Sequence, residues 1–134
     1  MTEKNHAIEN AKGWWANICE MMNALEDAGD DDAARGAAEQ RISESILSVE
    51  VRGGWQAPCV EGMGPEEYRI LLTFGGPALQ LCGELGEHCE PITAELQYQD
   101  WFQPWTAAFP ELEVEWESYK ATLLAFASQF WYGE

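Results

Sequence analysis

Residues 92–99 read Ile92-Thr93-Ala94-Glu95-Leu96-Gln97-Tyr98-Gln99. Ile92, Ala94, Leu96 and Tyr98 take every second position, with Thr93, Glu95, Gln97 and Gln99 between them. Successive side chains of a strand leave opposite faces, so this alternation predicts a strand with one covered face and one wet face. A sheet wet on one side and covered on the other calls for helices packed against a single face.

The same period of two recurs upstream. Leu47, Val49 and Val51 alternate with Ser48, Glu50 and Arg52, which predicts a short strand. Tyr68 to Phe74 reads as a second, with Tyr68, Ile70, Leu72 and Phe74 on one face. Gly75-Gly76 is a two-residue turn signal and Pro77 suits a strand start, so 77–83 is expected to return as a hairpin partner. Gly86-Glu87-His88 marks the turn into 92–99, and 53–66, with four glycines and two prolines, reads as a loop. Four strands, mainly antiparallel, follow.

The helices flank this block. Ile8, Ala11, Trp15, Ile18, Met22 and Leu25 recur at steps of three and four over 3–27, and Ala7, Trp14 and Met21 widen the stripe. Gly29 is a natural stop. Asp30-Asp31-Asp32 then opens a second helix near 31–45, because carboxylates cap free N–H groups and oppose the positive end of the helix dipole. Its large apolar anchors are Ile42, Ile46 and Leu47. Residues 100–110, with Trp101, Phe102, Pro104, Trp105, Phe109 and Pro110, read as an irregular aromatic segment. A last helix is expected over about 113–131 from Trp116, Tyr119, Leu123, Phe126, Ala127 and Phe130. Glu111, Glu113, Glu115 and Glu117 alternate with Leu112, Val114 and Trp116, a strand-like pattern that leaves open a helix start only near 116. The expected fold is a single α+β domain over 1–134: a four-stranded, mainly antiparallel sheet packed by N-terminal helices and a C-terminal helix.

Length supports one core. At 134 residues, the surface scaling rule gives a folded area of roughly 7,000 Å² against roughly 22,000 Å² unfolded. Charge restricts the partners. Twenty-four acids face seven bases, a formal −17. Residues 70–134 hold ten acids and only Lys120 as a base. Binding to nucleic acid or to an anionic membrane needs clustered Lys and Arg, which are absent. A basic partner surface would instead be attracted at long range and in a salt-dependent way. No apolar run is long enough for a membrane span and the start lacks a signal peptide's pattern, so a cytoplasmic protein with reduced cysteines is expected.

Catalytic patterns are weak. Cys82 and Cys89 are separated by six residues and no close Cys pair exists, so the spacing does not suit zinc. Cys82 falls in an expected strand and reads as core, and Cys19 as a small buried hydrophobe. Cys89 adjoins His88, but neighbours on a strand diverge and the acidic surroundings raise a thiol pKa. Gly62-Met63-Gly64 precedes Pro65 and not a phosphate-binding lysine. No metal and no cofactor is expected, and the carboxylates fall mostly at polar positions of amphipathic elements or in turns. Trp101 and Trp105 are expected to close the end of the sheet against the last helix, the alternative being an exposed interface anchor.

Whether the charge imitates nucleic acid is a matter of density. B-DNA taken as a cylinder carries one charge per about 110 Å². A charge of −17 spread over the folded area gives one per about 410 Å², and concentrated on half of it, one per about 200 Å². Only a one-sided distribution comes near. Three groups are candidates: Glu26, Asp27, Asp30, Asp31 and Asp32; Glu84, Glu87, Glu90 and Glu95; and Glu111, Glu113, Glu115 and Glu117.

Several stretches carry a resemblance. They are Glu67-Tyr68-Arg69-Ile70-Leu71-Leu72, Gly75-Gly76-Pro77-Ala78, Gly83-Glu84-Leu85, Glu95-Leu96-Gln97-Tyr98-Gln99-Asp100-Trp101, Pro104-Trp105 and Phe126-Ala127-Ser128-Gln129-Phe130-Trp131-Tyr132-Gly133-Glu134. In this order they resemble a family of small acidic proteins of phages, prophages and mobile elements of proteobacteria. The resemblance covers about 48–134 best and is most specific at 95–105. Cys82, Cys89 and 111–117 depart from the family pattern, which argues against a shared metal site. The resemblance implies an inhibitor of host defence, of the anti-CRISPR or anti-restriction type, and brings no catalytic residues.

The leading expectation is therefore a non-enzymatic inhibitor in the host cytoplasm. Its carboxylates would occupy the basic nucleic-acid channel of a host defence complex, with no direct contact to nucleic acid. The expected contact residues are Asp30, Asp31, Asp32, Glu84, Glu87, Glu90, Glu95, Glu113 and Glu115, together with Trp101 and Trp105. A homodimeric interaction module built on the sheet edge or the Trp101–Trp105 patch is one alternative, separated by the mass in solution before and after Trp105→Ala. A small enzyme with an acidic cleft is another, separated by metal-dependent turnover.

Overall fold

The computed structural model describes residues 3–53, 55, 58, 65–74, 77–99 and 104–133, and the side chains from residue 6 onward. It is an α+β fold. Two helices, α1 (Glu3–Ala28) and α2 (Asp32–Ser45), precede β1 (Ser48–Arg52), β2 (Glu67–Thr73), β3 (Ala78–Glu84) and β4 (Glu95–Gln99). A two-residue β5 (Thr106–Ala107), the short α3 (Phe109–Leu112) and α4 (Trp116–Ala127) complete the described elements. The strands lie in chain order, each antiparallel to the next.

One face of the sheet is apolar. Val49, Ile70, Leu81 and Leu96 stand opposite one another across four strands, and Leu79 stands opposite Tyr98. α1 packs against β3, β4, α3 and α4, and α4 also reaches β4. Ile18 and Met21 of α1, Leu79, Leu81 and Leu96 of the sheet, and Tyr119, Leu123 and Phe126 of α4 are fully buried. The Tyr119 hydroxyl accepts the Leu96 N–H at 2.9 Å, so a helix side chain completes a strand's hydrogen bonding. Around it Trp15, Phe109 and Trp116 bring ring centroids to 5.5, 4.8 and 5.6 Å. Such ring pairs add about 0.5–1.5 kcal/mol each beyond burial.

The α1 stripe has the expected composition, with its centre on Ala7, Ala11, Ile18, Met21 and Leu25, while Ile8, Trp14, Trp15 and Met22 are half-buried beside it. α2 packs chiefly on α1. Arg41 ties the two by reaching Asn17 and Glu20. Only Ala38 and Ile42 of α2 are buried, and Leu47, expected as a third anchor, is exposed.

Three boundaries differ from the sequence expectation. Phe74 does not join Tyr68, Ile70 and Leu72. The register slips between Leu71 and Thr73, where two residues of β2 face one of β3, and Phe74 is 82% exposed beyond that bulge. β4 begins at Glu95 and not at 92, because the preceding residues are spent on the turn. There Leu85 bridges Pro91, and the Ile92 N–H donates to the Glu84 carbonyl. Thr93 secures the corner, its carbonyl accepting the Tyr68 hydroxyl at 2.6 Å and its hydroxyl accepting the Glu84 N–H at 2.9 Å. Gly83 makes this approach possible, since a Cβ there would lie 2.0 Å from the Thr93 oxygen. The sheet has a fifth strand, because 106–107 pairs with β4 through Tyr98↔Thr106 and Gln97↔Ala107. The last helix starts at Trp116, the later of the two starts the sequence leaves open, after Glu113 has ended α3 in the left-handed conformation at φ 57. The expected turn Gly75-Gly76 and most of the loop 53–66 lie outside the described residues.

Candidate functional site

The expected contact residues fall at three places. The first is the tip of the α1–α2 hairpin. Gly29, at φ 52, lets the chain turn out of α1. Asp31 caps α2, one carboxylate oxygen accepting the Ala33 and Ala34 N–H groups at 3.1 Å each. Asp32 lies in the first helical turn, where negative charge is stabilised. Asp30, Asp31 and Asp32 are all exposed.

The second place is the β3–β4 hairpin. Glu84 and Glu95 stand on the sheet face away from the helices, and Glu87 and Glu90 lie in the connecting turn. The Glu90 carboxylate folds back over the turn and accepts the His88 N–H at 2.9 Å. Hydrogen bonds from its own backbone N–H and from that of His88 hold its carboxyl below the usual carboxylate range. Gly86 leaves room for it, since a Cβ there would meet the Glu90 carboxylate at 2.3 Å. The third place is the α3–α4 connection, where Glu113 and Glu115 are exposed; Glu115 is the N-cap residue of α4 and makes no side-chain cap bond.

None of these nine carboxylates enters an ion pair among the described residues. The ion pairs join Arg35 to Glu39, Arg41 to Glu20, Arg52 to Glu67, Arg69 to Glu50 and Lys120 to Glu117. Averaged over the 8381 Å² of accessible surface, −17 is one charge per roughly 490 Å², sparser than the sequence-based figure.

The open face of the sheet is more varied than its neighbourhood. Glu50, Arg69, Cys82 and Glu95 form one cross-strand row, and Arg52, Glu67 and Glu84 a second. Gln80 and Gln97 stand opposite each other in a third. A cavity of about 530 Å³ lies over this face. Trp105 lines it, so this indole flanks the open face. Trp101 and Cys59 lie outside the described residues.

Cys82 is half-buried on this face and is not core. Burial, then the charges of Glu95 and Glu67, push its thiol up to about 11, with Arg69 and Arg52 opposing. Such a thiol is a poor nucleophile at neutral pH. Cys19 is half-buried on α1, its thiol also raised by burial. Cys89 packs at the margin of the core in the left-handed conformation. Among the described residues no three His, Cys, Asp or Glu side chains are grouped to hold a metal. No described helix is long and apolar enough to cross a membrane.

The sequence reading missed Gln80 and the cross-strand partners of Arg52 and Arg69. The opposite charges of 50/52 and 67/69 were visible. Their pairing depends on a register that β1 and β2, joined by a long loop, do not declare. No family model matches the chain, and no curated protein or solved structure shows significant similarity to it.

Proposed function

We propose that this protein is a non-enzymatic inhibitor that occupies a basic, nucleic-acid-binding groove of a partner protein complex, its carboxylates standing in for phosphates. The observation that carries the reading is the division of the charges. Five bases are consumed by Glu20, Glu39, Glu50, Glu67 and Glu117. The carboxylates of Asp30, Asp31, Asp32, Glu84, Glu87, Glu90, Glu95, Glu113 and Glu115 enter no ion pair among the described residues. Charge of this kind attracts a Lys- or Arg-lined surface at long range and is screened by salt.

The carboxylates belong to three different parts of the chain, the α1–α2 turn, the β3–β4 hairpin and the α3–α4 connection, and a partner's basic groove would meet them as patches. The resemblance to small acidic phage and mobile-element proteins makes a host defence complex of the anti-CRISPR or anti-restriction kind the proposed target. The test is capture of that complex from a host extract by the full chain, at low and at high salt. Reversing one patch, as in Asp30→Lys with Asp32→Lys or Glu113→Lys with Glu115→Lys, is expected to abolish capture and flatten its salt dependence. Capture unchanged by reversal of each patch in turn rejects the reading.

A further inference from the structure

On the open face of the sheet, side-chain amides form a relay with a fixed direction. The Gln97 amide donates to a Glu95 carboxylate oxygen at 2.8 Å. The Gln97 carbonyl oxygen is thereby turned toward Gln80 and accepts the Gln80 amide N–H, also at 2.8 Å. This leaves the Gln80 Oε1 as the end of the relay. Gln80 is only 5% exposed, and Oε1 has no hydrogen-bond partner among the described residues. Turning both amides over would satisfy that oxygen but would set the Gln97 oxygen against the Glu95 carboxylate, two acceptors facing each other. The carboxylate therefore fixes the direction, and a buried acceptor is left waiting for a donor. A desolvated acceptor without a donor is destabilising, and a ligand's N–H group would relieve it.

The surroundings define the donor. Arg52 and Arg69 are each neutralised by a cross-strand glutamate, Glu67 and Glu50. Glu84 lines the same cavity and Glu95 adjoins it, neither in an ion pair among the described residues. The excess charge is negative, so the donor is a cation. A guanidinium fits better than an ammonium. It is planar, offers several donors in a fixed fork, is weakly hydrated and lies well against an aromatic face such as that of Trp105.

We propose that the open sheet face binds a guanidinium group, supplied by one arginine side chain of the basic partner, with Gln80 Oε1 as its buried acceptor and Trp105 beside it. The source of the arginine rests on the function proposed above; the guanidinium chemistry does not.

The test is an NMR titration of the ¹⁵N-labelled full chain with N-acetyl-arginine methylamide, beside the matched lysine compound. The side-chain amide signals of Gln80 and Gln97 are followed, assigned through Gln80→Met. Saturable shifts of both signals are expected with the arginine compound, with weaker binding of the lysine compound. Glu95→Gln, which releases the direction of the relay, is expected to weaken binding about tenfold, the worth of one charge-assisted hydrogen bond. Backbone spectra check that both variants stay folded, and Glu95→Gln carries the test if Gln80→Met does not. No shift at Gln80, or equal affinity for the two compounds, overturns the site. A short polyarginine separates the two proposals. Salt-dependent binding that leaves Gln80 unmoved overturns the cavity and keeps the acidic-surface reading. Binding of the arginine compound without salt-dependent binding of polyarginine keeps the cavity and overturns that reading.

Discussion

The α1–α2 hairpin and the body formed by the sheet and α4 carry their charge in opposite ways. At the hairpin tip, carboxylates are exposed and make only local bonds, as Asp31 does to Ala33 and Ala34. On the open sheet face, Arg52 and Arg69 are paired across strands and Glu95 is tied into an amide relay. Burial differs in the same sense. α2 anchors itself through Ala38 and Ile42, whereas the body holds Tyr119, Leu123 and Phe126 of α4 in one core with Leu79, Leu81 and Leu96 of the sheet. A region with little burial can spend its surface on unpaired charge, because little of its stability depends on that surface. Within the body the matched charges are Arg52 with Glu67 and Arg69 with Glu50, while Glu84 and Glu95 on the same face enter no ion pair among the described residues.

The largest expected effect tests the body. Phe126→Ala should cost about 3–5 kcal/mol in urea unfolding, since the ring is fully buried. Ile42→Ala should fall near about 2 kcal/mol, at the low end for such truncations. It should raise hydrogen exchange in α2 while sheet amides stay protected; equal loss in both regions would dissolve the distinction.

Tyr119→Phe comes next, at about 1–3 kcal/mol, because the Leu96 N–H is left buried without its acceptor. The tyrosines also set a pH limit on the body. Burial raises Tyr68, Tyr119 and Tyr132, Tyr119 to about 12 from 10.0. A raised folded-state value means stability that is complete below pH 10 and is lost as pH rises toward 12 for Tyr119. Alkaline unfolding followed by near-UV circular dichroism checks this. The hairpin has no tyrosine, so its share of any alkaline loss comes from Cys19, whose thiol is also raised by burial.

The smallest effects belong to the tip. Asp31→Ala should cost about 1 kcal/mol through the lost cap. Asp30→Lys should change stability by less than about 0.5 kcal/mol while weakening capture by a basic partner. A large stability change from Asp30→Lys would show the tip to be structural.

The strands and helices were legible because each buries one face, and burial of one face writes a period of two or about 3.6 into the chain. Helix α1 and strands β2 and β4 follow that rule most closely. The parts that were not legible are those where a bond takes precedence over the pattern. Ile92 has the apolar identity of a strand residue but is 51% exposed, because Thr93 is committed to Tyr68 and Glu84. Phe74 continues an alternation that a bulge has already reversed. Of the candidate site, the wet face of Glu95 and Gln97 was readable. Gln80 was not, because its role comes from standing opposite Gln97, and register between strands is a property of pairs.

The packing of α1 against α4 and of Tyr119 against Leu96 also bears on the birth of the chain. The ribosome makes α1 first among these elements and α4 last. While the sheet is being made, Trp15 lacks Tyr119, and the Leu96 N–H lacks the oxygen that receives it. The nascent chain therefore carries an apolar helix and an unfinished strand edge until the last helix emerges. Vectorial synthesis cannot shorten that interval, because the contacts that close the fold join its earliest helix to its latest.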